Sequence, residues 1–122
     1  MTTSDETTPA KIRGYVHLRD DSPEFGHWSC FFDVGGPQTA NVVADLGHEP
    51  NGYFWGGVVS RLVELGELPD IETDPEGDMF CAYGTRPLME QLAHKLTPYL
   101  TDPQALTELV TAADAAGFDF DD

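Results

Sequence analysis

Positive charge is what this chain has least of. Six Lys and Arg stand against 22 Asp and Glu, a formal net charge of −16 over 122 residues. Nucleic-acid binding needs a cationic face to neutralise phosphates, and docking to an anionic lipid surface needs the same, so this balance excludes both. Long apolar runs are missing too. No 18 apolar residues follow one another, so no segment reads as a membrane-spanning helix. The start, Met1-Thr2-Thr3-Ser4-Asp5-Glu6, lacks the basic residues and apolar stretch of a secretory signal, which leads to the expectation of a cytoplasmic protein. Cysteine is nearly absent. Cys30 and Cys81 each lie in an apolar, aromatic run, where a free thiol behaves as a small hydrophobe. In a reducing compartment no disulfide between them is expected.

The common catalytic signatures are also lacking. There is no GxSxG nucleophile elbow, no phosphate-cradling loop and no HExxH pair. Gly35-Gly36-Pro37 has no helix start after it and reads as a turn. The four histidines, His17, His27, His48 and His94, have no metal-ligand spacing among them. A calcium loop counted from Asp70 would need Gly and Glu where Pro75 and Cys81 stand, and one counted from Asp74 meets Met79 and Thr85. No metal or cofactor is therefore expected. His48 beside Glu49 is the one acid–base pair the sequence offers. It would suit a small ligand-binding or hydrolytic α+β domain. An acid at that point equally suits the dipole of a following helix.

What is present is enough for one domain. Leu, Ile, Val and Phe make up about 23% of the chain, just above the level at which a highly charged chain stays disordered. Residues 1–10 read as a disordered tail, 11–117 as a single domain and 118–122 as a short acidic tail whose two Phe dock loosely. Gly14 to Arg19 alternates as a first strand, Phe25 to Val34 reads as an aromatic second strand, and Thr39 to Leu46 as a short third. Asn51 is a natural N-cap for a helix with Trp55, Val58, Val59, Leu62 and Val63 on one stripe. Gly56 and Gly57 within it imply close backbone packing. Ile71 to Thr73 and Met79 to Tyr83 pair as a hairpin, with a turn at Asp74-Pro75-Glu76-Gly77. The apolar run Met79 to Tyr83 reads as a central strand buried on both faces. Leu88, Leu92, Leu96 and Leu100 mark a second helix. Asp102 caps a third, with Pro103 at its first position and Gly117 at its end. The order β-β-(β)-α-β-β-α-α implies an α+β fold, a mainly antiparallel sheet with about three helices packed on one face.

The chief anomaly is a run of seven acids in fifteen residues, Glu64 to Asp78, with no basic residue between them. Asp70, Glu72, Asp74, Glu76 and Asp78 alternate with period two. On extended backbone they point to one side, although a turn at Pro75 breaks the row. Such a run is either a solvated face, as in a protein adapted to high salt, or a patch complementary to a basic partner. It would also suit a mimic of nucleic acid.

His48-Glu49-Pro50-Asn51-Gly52-Tyr53-Phe54-Trp55, followed by Val58-Val59 and Leu62-Val63, resembles the central motif of the immunity protein 51 family of bacterial polymorphic toxin systems. Asp74-Pro75-Glu76-Gly77-Asp78-Met79-Phe80-Cys81-Ala82-Tyr83 is similar to its second motif. The resemblance covers roughly residues 12–116. The chain departs from the family where Phe54 and Gly56 replace residues that are often acidic. The resemblance implies a small cytoplasmic inhibitor, not an enzyme, that binds the C-terminal domain of a cognate toxin. On that implication Glu49, Glu72, Asp74, Glu76 and Asp78 are the expected electrostatic contacts, and Tyr53, if exposed, is an aromatic anchor.

Overall fold

A computed structural model describes residues 16–120. Four strands form one antiparallel sheet: β1 (His17–Asp20), β2 (Trp28–Asp33), β3 (Glu72–Thr73) and β4 (Met79–Gly84), in the spatial order β1-β2-β4-β3. Among the described residues five helices accompany them: α1 (Ser22–Phe25), α2 (Ala40–Asp45), α3 (Gly52–Glu64), α4 (Arg86–Thr101) and α5 (Pro103–Ala115). The fold is α+β, as expected. The register of the strands sorts their side chains. Leu18, Cys30 and Ala82 fall in one row and Phe32 and Phe80 in the next, all on the face that meets the helices. Trp55 of α3 stands edge-on to Phe32, with ring centroids 5.5 Å apart. Leu88 and Met89 of α4 close over Gly84. The indole nitrogen of Trp55 is buried with no hydrogen-bond partner.

The three long helices begin where the capping residues stand. Asn51 accepts a hydrogen bond from the Phe54 amide at 2.8 Å, Thr85 from Leu88 at 3.3 Å and Asp102 from Gln104 at 3.0 Å. Each satisfies an amide that the first helical turn leaves free. Pro103 follows Asp102 at a position where a missing N–H costs nothing.

Several expectations are corrected. Thr39 to Leu46 is not a strand. Thr39 is buried and tied to the end of α4, its hydroxyl donating to the Tyr99 carbonyl at 2.7 Å and its amide to Leu100. From that anchor the chain turns helically, and Val43 is buried on the inner side of α2. The second strand starts at Trp28, because Phe25 ends the one-turn helix α1. The first strand runs over His17–Asp20, one residue past the expected end at Arg19; Val16 is buried just before it, and Gly14, Tyr15 and the tail at 1–10 lie outside the described residues. Strand β4 is interior to the sheet but buried on one face only. Phe80 and Ala82 are fully covered, while Met79 is 39% exposed.

The segment after α5 delivers Phe120 to the core. Gly117, at φ 78°, turns the chain out of α5, and the Phe118 amide bonds back to Ala113. Phe120 is then fully buried, stacked on Phe54 at 5.2 Å and edge-on to His48 at 4.9 Å. Room for it comes from Gly57, where a Cβ would stand 2.6 Å from the Phe120 carbonyl oxygen. The expected close packing at the Gly-Gly pair is thus real at Gly57, and its partner is the chain's own end. Gly57→Ala is expected to lower the unfolding free energy by about 2 kcal/mol through overpacking. Ending the chain after Gly117 should cost more, about 3 kcal/mol, by uncovering Phe54. Urea unfolding followed by tryptophan fluorescence checks both; wild-type midpoints would refute the packing.

Candidate interaction surface

The acidic hairpin is set by its register. Glu72 pairs with Tyr83 and Thr73 with Ala82. The pairing then runs on beyond β3, because the Asp74 amide donates to the Cys81 carbonyl and the Glu76 amide to the Met79 carbonyl, both at 2.8 Å. The chain therefore reverses at Gly77-Asp78 and not at Pro75-Glu76. Pro75 lacks only the N–H that would point away from β4, so it fits an edge segment without breaking the ladder. The row of alternate acids survives: Glu72, Asp74 and Glu76 stand opposite Tyr83, Cys81 and Met79. Thr73 and Pro75 turn to the helix side, and Pro75 lies against α3 at Gly56.

This register places the three acids on the sheet face opposite the helices, about 7 Å apart along the strand. They share that face with Tyr83, Cys81, Met79, Phe31, Arg19 and His17. Among the described residues none of the three is paired with Lys or Arg. The acids earlier in the run differ. Glu64 is bonded to Arg61 at 2.6 Å and Glu67 to Lys95 at 2.8 Å. The Tyr83 hydroxyl donates to Asp74 at 3.1 Å. Its hydrogen bond to Cys81, burial and Asp74 together push the Tyr83 phenol well above its usual range. Burial pushes the Cys81 thiol up, opposed by the bond from Tyr83. Arg19 reaches over the Phe31 ring at 5.0 Å and bonds Asp21 at 2.8 Å. Asp21 also accepts from the buried Ser29 hydroxyl, and these bonds hold its carboxyl below the usual range.

The other expected contacts lie elsewhere. Asp78 is at the hairpin tip, its carbonyl accepting from the Val34 amide at 3.1 Å. Tyr53 is 45% exposed at the start of α3, on the helix side of the hairpin. Glu49 is exposed on the loop before α3. The hairpin thus divides the set, with Glu72, Asp74 and Glu76 on one side and Tyr53 on the other. The two sides meet at Gly52, whose amide donates to the Glu76 carbonyl at 2.9 Å. Beside Tyr53 lies a groove of about 180 Å³ bordered by Gly56, Ser60, Thr73, Pro75 and Asp119. Sequence reasoning missed this groove, and the Gly56-Gly57 pair was its only signal.

Compared with protein-family models, curated proteins and solved structures, the chain matches none.

His48 does not stand open as a catalytic base. Its Nε2 lies 3.0 and 3.1 Å from the two carboxylate oxygens of Asp114, and its ring packs against Phe54 and Phe120. It joins the loop before α3 to α5 and the C-terminal segment. Among the described residues no group of three His, Cys, Asp or Glu is placed to hold a metal ion, and no helix is long and apolar enough to cross a membrane. Cys30 is fully buried, so Cys81 is the thiol open to reagents. A raised thiol pKa means less thiolate at a given pH. Alkylation of Cys81 by iodoacetamide at pH 8 is therefore expected to be several-fold slower than that of free cysteine. Asp74→Asn removes a charge that raises the thiol and should speed the reaction. A rate equal to free cysteine would contradict this placement of Cys81.

Proposed function

We propose that the chain is an inhibitory binding protein of the immunity type, in keeping with its resemblance to the immunity protein 51 family. It binds and neutralises the C-terminal domain of a cognate toxin in the cytoplasm. The observation that carries this reading is the row Glu72, Asp74 and Glu76, three carboxylates in line on an exposed sheet edge beside Met79 and Tyr83. Their spacing of about 7 Å is within one Debye length at physiological salt, so a cationic partner feels them together. A basic, nuclease-like toxin presents the matching surface, because its own substrate is a polyanion. Electrostatic attraction accelerates the encounter, and the aromatic and thioether side chains beside the row supply contact area. Inhibition then needs no covalent chemistry. The bound protein covers the toxin's substrate path and opposes a polyanion with its own charge.

The test is a binding titration against the C-terminal domain of the secreted protein encoded next to this gene. Nanomolar affinity with loss of toxin activity is expected. The triple variant Glu72→Lys, Asp74→Lys, Glu76→Lys should slow association by about 10- to 100-fold at low salt, and the difference should shrink at high salt. Association that is unchanged at low salt would remove the acidic row from the interface. No binding would remove the immunity reading.

A further inference from the structure

Phe25 is the most exposed large apolar side chain among the described residues, at 64%. A lone Phe on a surface needs no explanation, but this one is held there. It ends α1, a helix of four residues that buries none of them. So short a helix has no stability of its own, and polar contacts to the sheet fix it instead. Asp20, at the end of β1, accepts from the Ser22 amide at 2.9 Å and also from the Ser22 hydroxyl. The Asp21 carboxylate is gripped by Arg19 of β1 and by the buried Ser29 hydroxyl of β2, both at 2.8 Å. The Phe25 amide donates to the Asp21 carbonyl at 2.8 Å. Gly26, at φ 78°, then turns the chain back, and a Cβ there would meet nothing within 4 Å. The network orders a turn whose one aromatic ring is left largely in water.

That ring continues into others. It stacks on His27, with centroids 6.0 Å and planes 17° apart, and His27 stands 4.8 Å from the Tyr83 ring. Tyr83 lies opposite Glu72 in the β3–β4 pairing and donates to Asp74. An aromatic row therefore runs from α1 over the outer sheet face and meets the acidic row at Tyr83. A ring already ordered loses little entropy when it is seated in a pocket, and charges beside it orient the partner. Charge also selects the occupant. A second copy docked about a two-fold axis would bring Glu72 and Asp74 close to their own images, which repel. A basic protein surface meets the same carboxylates favourably.

We propose that Phe25 is the aromatic anchor of the complex, seated in an apolar pocket of the basic toxin domain while Glu72 and Asp74 meet its cationic residues. The proposal rests on the reading of the chain as a toxin-binding protein. It goes further by assigning the contact to α1 and the outer sheet face, and not to Tyr53 on the helix side of the hairpin.

The experiment measures binding kinetics of wild type, Phe25→Ala, Phe25→Tyr and Tyr53→Ala against the purified C-terminal domain of the secreted protein encoded next to this gene. Phe25→Ala is expected to weaken binding about 30-fold, through faster dissociation, and equally at low and high salt. Phe25→Tyr and Tyr53→Ala should each stay within about threefold of wild type. Because Phe25 is mostly in water, its alanine variant should melt within about 2 °C of wild type, which separates a lost contact from a lost fold. In the free chain the Phe25 and Gly26 amides should exchange about tenfold or more slower than in a coil. Wild-type binding that Phe25→Ala leaves unchanged, or that Tyr53→Ala weakens more, overturns the proposal and leaves the immunity reading standing. No binding by wild type removes both. Coil-like exchange at Phe25 and Gly26 overturns the anchor whatever the toxin domain does. A homodimer in sedimentation that Phe25→Ala breaks would give the patch to a second copy and overturn it too.

Discussion

The backbone of the acidic hairpin rests directly on the first turn of α3, through the hydrogen bond from the Gly52 amide to the Glu76 carbonyl. No side chain fits between them, since a Cβ at Gly52 would run into the carbonyls of Glu76 and Met79. The amide at a helix start has no partner within the helix, so this bond satisfies a donor that burial would otherwise leave stranded. It also fixes two registers together. Asn51 caps α3 at that point, which aims Phe54 and Trp55 into the core, and the hairpin is held with Asp74 opposite Cys81 and Glu76 opposite Met79. Everything assigned to the candidate surface follows from these two alignments.

Charge explains why such a seat is needed. Three like charges about 7 Å apart repel by about 0.6 kcal/mol per neighbouring pair in water. The β3 strand itself is only two residues long, and a short edge strand carrying like charges has little to hold its register. The contact at Gly52 and the hydrogen bond from Tyr83 to Asp74 hold the row where repulsion alone would loosen it. The cationic partner proposed above would relieve that repulsion on binding.

Much of this was legible in the sequence, and the misses share a cause. Local signals held. Asn51, Asp102 and Pro103 cap where their chemistry requires, and the leucine spacing from Leu88 to Leu100 gives α4 its buried side. Failures came where distant contacts decided. Thr39 to Leu46 carries two valines but is anchored to the end of α4 and turns helical. Pro75 marks a turn by composition, yet the ladder from β4 carries the chain past it to Gly77-Asp78. Phe118 and Phe120 read as docking loosely from a short acidic tail, whereas the Gly57 gap and the Phe54 ring draw Phe120 fully into the core. The acidic row was visible as alternation. That Tyr53 lies across the hairpin from it, and that a groove opens at Gly56, depends on the seat at Gly52, for which sequence has no pattern.

The most direct measurement is amide hydrogen exchange of Asp74 and Glu76 in the wild-type chain and in Gly52→Ala. Both amides are bonded to β4 and should be protected in wild type. In the variant they should exchange fast while the β2–β4 amides stay protected, because only the hairpin loses its support. Coil-like exchange of Asp74 and Glu76 in the wild-type chain would contradict the register on which the acidic surface is built.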